Sequence, residues 1–330
     1  MQPAYSRISH SVRMTGTQGS AIIGIGTYLP RRKVGNEELS ELIAVSPQWI
    51  AERTGIMTRY HCTDEDVVLM AAEAGKKAVA SAQVDPAEID LVILATATRR
   101  RNIPGAAPQV ASLIGIPESA GGYDVNAMCA GFTYSLAQAS NAVRLGEAGK
   151  VLVIGSDHTS WMISPSRPDT YAIFGDGAGA VVVSSNPEPA IGPAVWGSDG
   201  GRSEVLVSRE DGGTQSIYMN GPAVYKWSTS NMPRVARQVC ERAGVTLSDI
   251  GWFVPHQANL RIIDTLVRIL GFPPDRVARD VAEVGNTSAA SIPLALGRLR
   301  ESGRAQSGDR VLLLGFGAGL TYAGQVVRMP

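Results

Sequence analysis

Cysteine is scarce in this sequence, and the chain carries no net charge. Among 330 residues there are three cysteines, Cys62, Cys129 and Cys240, too few and too scattered for a disulfide framework or a zinc cluster. We therefore expect a reducing compartment and no bound metal. The 30 basic residues balance 30 acidic ones, which argues against nucleic acid or an anionic membrane as the main partner.

Long apolar runs are also missing. The strongest ones, residues 91–96 and 151–155, have the length of strands, whereas a membrane-spanning helix needs about 18 apolar residues. The first 19 residues are polar and contain no apolar block of signal-peptide length, so residues 1–19 are predicted to form a flexible tail. We expect a cytoplasmic protein.

The chain is instead rich in short apolar runs that alternate with segments of helical period, a pattern typical of a layered α/β fold. Several of these runs occur twice. Ile89 lies in a strand-like run that reappears around Ile250, 161 positions later. Val151-Leu-Val-Ile-Gly reappears as Val311-Leu-Leu-Leu-Gly, 160 positions later.

A third repeated pair completes the pattern. Asp124-Val, which precedes a turn of small residues, matches Asp280-Val at an offset of 156. Three pairs in one order at one spacing predict an internal duplication of about 160 residues. We expect one half at residues 20–187 and the other at 188–330. Ser185-Asn-Pro-Glu-Pro is the predicted joint, because such a stretch continues neither a strand nor a helix.

Cys129 lies where a predicted strand, ending near Val125, turns into a helix. The apolar residues on one face of that helix are Phe132, Leu136, Ala139 and Val143. Free backbone N–H groups and the positive end of the helix dipole favour a thiolate at such a turn. Most free cysteines are small buried residues, so the local sequence fits both a nucleophile and a core residue. Cys62 and Cys240 lack this turn and are predicted to be structural.

His256 and Asn286 are the other candidate catalytic residues. His256 closes the predicted buried strand Trp252-Phe-Val-Pro, at the strand end where active-site groups of α/β sheets gather. Asn286 lies in a turn that the duplication places opposite the Cys129 turn. Taken singly, the histidine fits a satisfied polar residue and the asparagine fits a helix cap. Together the three residues predict a cleft in which a thiolate, an imidazole and an amide converge.

Other motifs carry less weight. Gly315-Phe-Gly-Ala-Gly-Leu resembles a phosphate-binding glycine run, but the 11 residues after Gly319 are predicted to form a strand, so no helix N terminus follows to hold a pyrophosphate. Gly24-Ile-Gly lacks a third glycine with a helix. Arg99-Arg-Arg stands alone in a charge-balanced chain, and the sequence offers no physical explanation for it.

The motifs together resemble those of thiolase-fold condensing enzymes, most closely the β-ketoacyl-acyl-carrier-protein synthase III family. The resemblance covers about residues 20–330 and rests on these segments in family order: Trp49-Ile with Arg53-Thr-Gly-Ile, Cys129-Ala-Gly-Phe, Phe174-Gly-Asp-Gly-Ala-Gly-Ala, Val254-Pro-His-Gln-Ala-Asn, Gly285-Asn-Thr-Ser-Ala-Ala-Ser-Ile-Pro and Gly315-Phe-Gly-Ala-Gly-Leu. It implies an α/β, thiolase-like fold whose duplicated βαβαβαββ halves form a five-layer α-β-α-β-α sandwich. It also implies a homodimer.

The resemblance implies a decarboxylating enzyme that starts fatty-acid or polyketide chains. Cys129 would take an acyl group from acyl-CoA, with the backbone N–H groups of Cys129 and Ala318 as the oxyanion hole. His256 and Asn286 would hold the enolate formed from malonyl-acyl carrier protein, with no carboxylate nearby to repel its charge. The CoA thioester is then a substrate, and no cofactor is expected.

The same resemblance implies roles at the substrate entrance. Trp49 would stack on the CoA adenine, Arg53 would lie near the CoA phosphates, and Asn259 would contact the pantetheine arm. Phe316 would line the floor or mouth of the active site, although an aromatic residue there also fits a plain core position.

The resemblance extends to the partners. Lys226 and Arg261 would dock the acidic carrier protein, whereas Arg268 fits a solvated charge equally well. Ile103 occupies the loop position that reaches the acyl pocket of the partner subunit. A two-carbon-specific relative carries Phe there, so the smaller side chain predicts a longer primer. Family members commonly have an Asp-Arg pair a few residues before the Phe-Gly-Asp-Gly motif, whereas this sequence has Arg167-Pro-Asp before Phe174. Whether Arg167 contacts CoA is therefore left open by the resemblance.

An alternative function is an acyltransferase of the same fold that serves an oxygen, nitrogen or sulfur acceptor without forming a carbon–carbon bond. Release of CO2 separates the two functions. A scaffold with a decayed site is disfavoured because all three catalytic residue types are present in context. Biosynthetic thiolase is disfavoured because no second cysteine in the C-terminal half is placed to act as a base. Asn286 disfavours the two-histidine condensing enzymes.

Overall fold

A computed structural model of the chain describes residues 19–330. The predicted tail, residues 1–19, lies outside the described residues apart from Gly19, which begins the first strand. The described chain contains two larger β-sheets, one built from each part of the sequence.

The N-terminal part forms a five-stranded sheet and a separate two-stranded antiparallel sheet, β2–β3. Its strands are β1 (Gly19–Tyr28), β2 (Arg32–Gly35), β3 (Thr58–His61), β4 (Leu91–Ala95), β5 (Gly121–Val125), β6 (Lys150–Asp157) and β7 (Gly177–Asn186). Its helices are α1 (Asn36–Ile43), α2 (Pro47–Thr54), α3 (Val67–Ser81), α4 (Ala107–Ile114), α5 (Gly131–Leu145) and α6 (Pro168–Tyr171).

The C-terminal part forms a four-stranded sheet and a separate β-hairpin, β9–β10. Its strands are β8 (Val195–Gly197), β9 (Leu206–Asp211), β10 (Thr214–Met219), β11 (Trp252–Pro255), β12 (Arg310–Phe316) and β13 (Tyr322–Arg328). Its helices are α7 (Gly221–Arg242), α8 (Leu260–Leu270), α9 (Val281–Val284) and α10 (Ser291–Glu301). Among residues 19–330, no helix combines the length and the apolar character needed to cross a membrane.

The two sheets repeat one topology. The N-terminal sheet has the order β1-β7-β6-β4-β5, and the C-terminal sheet has the order β8-β13-β12-β11. The expected βαβαβαββ order is present in both halves, with one difference between them. The counterpart of β5 is reduced to a single parallel bridge between Phe253 and Val277. The chain there leaves the sheet within a few residues and enters α9.

Helix α9 also explains an irregularity in the repeat. The offset is 156 between Asp124 and Asp280, yet the turns Met128–Ala130 and Ser288–Ala290 are 160 positions apart. The four residues of α9 lie between these two points of the second half and account for the difference. The duplication therefore extends to the turn that carries Cys129, whose counterpart is Ala289.

Side chains alternate along each central strand and so divide the core into layers. On β6, Val151 and Val153 face one core with the inner helices α5 and α10, whereas Leu152 and Ile154 face the outer helices α3 and α4. On β12, Leu313 joins the inner core and Leu312 packs with the outer helices α7 and α8. The result is the expected five-layer sandwich, with α5 and α10 between the two sheets. The predicted apolar face of α5 is buried there: Phe132, Leu136, Ala139 and Val143.

Candidate active site

A cavity of about 1070 Å³ opens at the carboxyl ends of the inner strands. It is lined by the predicted catalytic residues Cys129, His256 and Asn286, together with Phe316 and Ala318. The cavity is therefore the convergence point that the duplication predicts, because turns from both halves reach it.

Cys129 lies in a tight 3-10 turn, Met128–Ala130, between β5 and α5. Met128, just before it, has a left-handed backbone with φ of 47°. Its counterpart Ser288 has the same conformation, with φ of 52°. Non-glycine residues in this region are strained, and such strain concentrates at functional sites. The turn presents the Cys129 side chain to the cavity at the start of a helix.

The environment of Cys129 stabilises the neutral thiol. Burial raises its pKa to about 12, and the charge of Asp157 acts in the same direction. A hydrogen bond from Ser288 opposes the rise, with 3.6 Å between Sγ and Oγ. The backbone N–H of Cys129 lowers this pKa, as the turn predicts, but desolvation of the buried thiol outweighs it.

His256 is buried and held in one orientation. Its Nδ1 lies 2.7 Å from Oγ of Ser291, and its ring packs edge-on against Phe316 at 5.4 Å between centroids. The same Ser291 oxygen accepts the backbone N–H of Gln257 at 3.3 Å, so its own proton is free to be donated to Nδ1. That arrangement favours the tautomer with the proton on Nε2. Burial lowers the pKa of His256 to about 3, which keeps the ring neutral.

Asn286 uses the two ends of its amide differently. Its Oδ1 accepts the backbone N–H of Ser288 at 2.9 Å, which leaves Nδ2 as the end available to a ligand in the cavity. Its own backbone bonds to Ile173 and Gly175, at 2.9 and 3.0 Å. A Cβ on Gly175 would lie 2.5 Å from the carbonyl oxygen of Val284, so the Phe174-Gly-Asp-Gly segment needs glycine here. The cap-like role and the donor role are therefore compatible.

The glycine run after β12 fits closely against the nucleophile. A Cβ on Gly317 would lie 2.7 Å from Cβ of Cys129, so only glycine fits. The backbone N–H of Gly317 is already bonded to the carbonyl of Thr321 at 3.0 Å. Ala318, the next residue, lines the cavity beside Cys129. The predicted strand after the run is confirmed as β13.

Three predicted substrate-binding residues lie together on one wall of the cavity. The guanidinium of Arg53 lies over the ring of Trp49, 5.6 Å from its centroid. Asn259 donates to the carbonyl of Arg53 at 3.2 Å and caps α8 by accepting the N–H of Arg261 at 2.9 Å. All four residues line the cavity, and Asn259 links the helix that carries Trp49 to α8.

The remaining predicted residues lie at the surface. Arg261 is exposed on the cavity rim, and Lys226 is exposed on α7 next to Tyr225, which lines the cavity. Arg268 is also exposed, farther along α8. Ile103 is 87% exposed and is not among the residues that line the cavity.

The structure shows what two arginines of the Arg99-Arg-Arg run do. Arg99 bonds to Asp124 at 2.6 Å and also to the carbonyl of Pro104. It thereby ties the loop that carries Ile103 to the edge strand β5. Arg100 lies over the ring of Trp161, 5.4 Å from its centroid.

Arg167 has a partner within the chain. Its guanidinium lies over the ring of Tyr218 in the β9–β10 hairpin, 3.9 Å from the centroid. Burial of Cys62 and Cys240 raises the pKa of both thiols, and to about 11 for Cys240, in keeping with their prediction as structural residues.

Three polar residues of the site were not singled out from the sequence. Ser288 and Ser291 lie within the Gly285 motif, but nothing in the sequence shows that their side chains touch Cys129 and His256. Asp157 is the last residue of β6, and its position at the end of a predicted strand was the only signal in the sequence that pointed to the site. Asp157 is close enough to raise the pKa of Cys129, whereas burial alone lowers the pKa of His256, as expected for a donor with no carboxylate beside it. The hairpin β9–β10 was also missed, and it contributes apolar cavity residues such as Leu206, Ile217 and Met219.

Two family profiles match the sequence. One, described as 3-oxoacyl-[acyl-carrier-protein] synthase III, covers residues 123–200, and one for the C-terminal part of the same enzyme covers residues 240–329. β-Ketoacyl-[acyl-carrier-protein] synthase III 2 of Streptomyces avermitilis is 47% identical over 316 residues, which span 94% of this chain and 99% of that protein. The chain belongs to the β-ketoacyl-acyl-carrier-protein synthase III family.

Solved structures of this family share the fold over nearly the whole chain. The priming β-ketosynthase of the R1128 polyketide pathway superposes with a TM-score of 0.93 and 40% identity, covering 97% of this chain and 99% of that one. The 3-oxoacyl-(acyl carrier protein) synthase III of Pseudomonas aeruginosa gives 0.90 and 36%, covering 94% and 98%. This β-ketoacyl-acyl-carrier-protein synthase III family member is thus a thiolase-fold condensing enzyme.

Proposed function

We propose that the chain condenses an acyl-CoA primer with malonyl-acyl carrier protein and releases CO2, which starts a fatty-acid or polyketide chain. One observation carries the proposal. The Cys129 thiol shares a cavity with the buried imidazole of His256, whose contact with Ser291 favours a proton on Nε2, and with the free Nδ2 of Asn286. A nucleophile and two preset hydrogen-bond donors are what acyl transfer followed by decarboxylation requires.

The first half-reaction loads the enzyme. Sγ of Cys129 attacks the thioester carbonyl of acyl-CoA, the new C–S bond forms, and CoA leaves as the thiol. The developing oxyanion lies between the backbone N–H groups of Cys129 and Ala318. Trp49 and Arg53 at the entrance hold the adenine and phosphates of CoA, and Asn259 contacts the pantetheine arm.

The second half-reaction forms the carbon–carbon bond. Malonyl-acyl carrier protein loses CO2, and the electron pair of the broken bond becomes an enolate. Nε2–H of His256 and Nδ2–H of Asn286 donate to its oxygen, because a neutral donor pair stabilises the new charge without a proton transfer. The enolate carbon then attacks the acyl carbonyl and expels Cys129. All of these steps use the chain and its two thioester substrates, so the proposal includes no cofactor.

The primer is longer than acetyl in this proposal. The cavity is lined by large apolar side chains, among them Met162, Leu206, Ile217 and Trp227, which suit an apolar acyl chain. Ile103, at the loop position assigned to the acyl pocket of the partner subunit, takes up less space than an aromatic residue.

We further propose a homodimer that acts in the cytoplasm. Strand β5 forms an edge of the five-stranded sheet, and Tyr123 on it is 38% exposed. An edge strand with an exposed aromatic residue is a template for pairing with a second copy. Ile103 lies in the loop that Arg99 ties to this edge, so pairing through β5 would carry it toward the partner subunit. Lys226 and Arg261 form the cationic rim for the carrier protein.

A single reaction tests the proposal. The protein is incubated with a series of acyl-CoAs and malonyl-acyl carrier protein, and the acyl mass on the Cys129 peptide is read together with released CO2. Acylation, CO2 and a β-ketoacyl product are expected. Acylation without CO2 for every malonyl donor would replace this function with acyl transfer to an oxygen, nitrogen or sulfur acceptor.

A further inference from the structure

Three side chains with metal-ligating atoms meet at the end of strand β6, outside the cavity. Among residues 19–330, the thiol of Cys62, the imidazole of His158 and the carboxylate of Asp176 each place such an atom within 4.8 Å of the other two. None of these three residues lines the cavity. The proposed reaction therefore gives this group no role.

The strand register brings His158 and Asp176 together. Strands β6 and β7 are antiparallel, and the last pair of their ladder joins Asp157 to Gly177. The next position on each strand holds His158 and Asp176, so these two residues face each other just beyond the ladder. Nε2 of His158 lies 3.8 Å from Oδ2 of Asp176, which is too far for a hydrogen bond. The two side chains are therefore close together without occupying each other's lone pairs.

The backbone of β3 fixes Cys62 beside Asp176. The N–H of Asp176 donates to the carbonyl of Tyr60 at 2.8 Å, and the N–H of Cys62 donates to Oδ2 of Asp176 at 2.7 Å. These two bonds tie the end of β3 to the start of β7. The thiol of Cys62 contacts Sδ of Met70 at 3.6 Å. A thioether is a weak acceptor, so a stronger partner for the sulfur can replace this contact.

Asp176 is oriented by hydrogen bonds from Ser160 as well. Its carboxylate is fully buried. Oδ1 accepts the N–H of Ser160 at 2.8 Å, and Oδ2 accepts the Ser160 hydroxyl at 2.6 Å. Together with the N–H of Cys62, these donors use three of about four lone-pair positions of an ionised carboxylate. Bonds of this kind orient the carboxylates of metal sites, and one position is left for a cation.

We propose that Cys62, His158 and Asp176 bind one Zn²⁺ ion, with water as the fourth ligand. Thiolate, imidazole and carboxylate are the ligands that zinc takes in proteins, in a tetrahedron whose ligand atoms lie about 3.3–3.7 Å apart. The spacing of 3.8 Å between His158 and Asp176 is already close to this value. Cys62 and His158 are partly exposed, so both side chains can adjust and the ion can enter from the surface. On binding, the Zn–S bond forms and the Cys62 proton leaves to solvent.

The charges around the site suit a divalent cation. A thiolate and a carboxylate together balance Zn²⁺, so the bound site carries no net charge. Burial, and then the negative charges of Asp176 and Glu65, raise the pKa of the Cys62 thiol. The same negative charges attract a cation. Burial, with the positive charge of Arg100 acting in the same direction, lowers the pKa of His158, which keeps a ring nitrogen unprotonated for the metal.

The ion would join the end of β3 to the ends of two strands of the five-stranded sheet, beside one wall of the cavity. Thr159, the residue after His158, lines the cavity. Its hydroxyl donates to the carbonyl of Gly175, which precedes Asp176, at 2.6 Å. An ion held by the folded chain and not by the unfolded one stabilises the fold. The expectation of no bound metal considered the cysteines alone, whereas here a histidine and a carboxylate supply the other ligands.

Metal titration tests the proposal. The full-length untagged chain is stripped of metal with a chelator, then titrated with Zn²⁺ by calorimetry and with Co²⁺ by absorption spectroscopy. We expect one ion per chain, a thiolate-to-cobalt charge-transfer band, and a higher unfolding temperature with Zn²⁺. Cys62→Ala and His158→Gln each remove one ligand and leave the backbone bonds in place. Each should weaken Zn²⁺ binding by at least about 100-fold, since changes outside the ligand set already cost 10- to 100-fold.

Two control variants separate this site from the other thiols. Cys129→Ser removes the thiol of the catalytic cavity, and Cys240→Ala is the matched control for Cys62→Ala; both should keep the cobalt band and the Zn²⁺ affinity. Asp176→Asn is not decisive, because it also disturbs the bonds to Ser160. No Zn²⁺ binding by the wild type, or a cobalt band that is lost in Cys129→Ser and kept in Cys62→Ala, would overturn the proposal. These measurements need neither acyl-CoA nor carrier protein, so the proposed function is judged separately.

Discussion

Ser291 holds the imidazole of His256, because its oxygen lies 2.7 Å from Nδ1 of the histidine and also accepts the N–H of Gln257 at 3.3 Å. This pairing favours donation of the hydroxyl proton to Nδ1, which places the imidazole proton on Nε2, where the proposed reaction needs it. Two residues that look equivalent in the motif, Ser288 and Ser291, thus serve different catalytic groups.

The first prediction concerns this serine. Ser291→Ala should lower the rate of decarboxylation by about 10- to 100-fold, because an unheld imidazole also populates the tautomer without Nε2–H. Loading of Cys129 from acyl-CoA should change little. Single-turnover measurements of both steps check this, and an equal loss in both would contradict it.

The second prediction concerns pH and stability. Below pH 6.5 the unfolded chain binds a proton at His256, whereas the folded chain does so only near its lowered pKa of about 3. The stability that depends on this group is therefore complete above pH 6.5 and falls as pH decreases through that window. Replacing His256 with Asn should reduce the loss of unfolding free energy between about pH 7 and about pH 5 by about 2 kcal/mol.

Urea denaturation at the two pH values measures this difference. Burial also lowers the pKa of His61 and His158, which acts in the same direction, whereas burial raises the pKa of Asp280 to about 6, which acts in the opposite direction; the difference between variant and wild type therefore isolates His256. An identical pH dependence in the variant and the wild type would show that His256 titrates normally in the folded chain.

The third prediction concerns the close approach of Gly317 to the nucleophile. Gly317→Ala should destabilise the fold by about 1–3 kcal/mol and abolish loading, since the new methyl group would overlap Cβ of Cys129. Gly200→Ala is the matched control, because nothing lies within 4 Å of the position of its Cβ and its φ is not left-handed. Thermal unfolding and acylation of both variants check the prediction; a stable, active Gly317→Ala enzyme would refute the close contact.

How far the sequence predicted the fold depends on distance along the chain. The duplication follows from the repeated segments, and the helix after Cys129 and the final strand follow from local periodicity. The structure confirms all three. The reduction of the third strand of the second half to a single bridge was not predictable. The sequence Asp280-Val resembles Asp124-Val, which ends β5, yet Asp280 and Val281 begin α9 instead. The offset of 156 at that point, against 160 elsewhere, was the available signal.

The residues of the candidate site also divide into those that the sequence reveals and those that only the folded structure brings together. Cys129, His256 and Asn286 occupy strand ends and a repeated turn, which the sequence reveals. Asp157 accepts the N–H of Ala289 across 132 positions of sequence, and Ser288 contacts Cys129 across 159, so only packing of the two halves brings these residues together. The protonation state of Cys129 depends on how much water the closed cavity excludes, and no local pattern records that.

The fourth prediction concerns primer length. Ile103→Phe should shift the ratio of kcat/KM values toward acetyl-CoA and away from longer primers by roughly 10-fold or more. The larger side chain would take up space in a hydrophobic pocket, and the loss of room for one methylene group already changes kcat/KM by about this factor. Ile103→Leu, of the same volume, should keep the wild-type ratio. Initial rates with a series of acyl-CoAs check this. An unchanged ratio in Ile103→Phe would show that this loop does not border the primer.

The proposed function is tested most directly by separating acyl loading on Cys129 from decarboxylation assisted by Asn286. The decisive measurement follows acyl mass on Cys129 and CO2 release in Asn286→Ala, given acyl-CoA and malonyl-acyl carrier protein. The account predicts that acyl-Cys129 accumulates while CO2 release falls by roughly 10²- to 10³-fold, because one donor to the enolate is lost. CO2 release at the wild-type rate from Asn286→Ala would contradict the account.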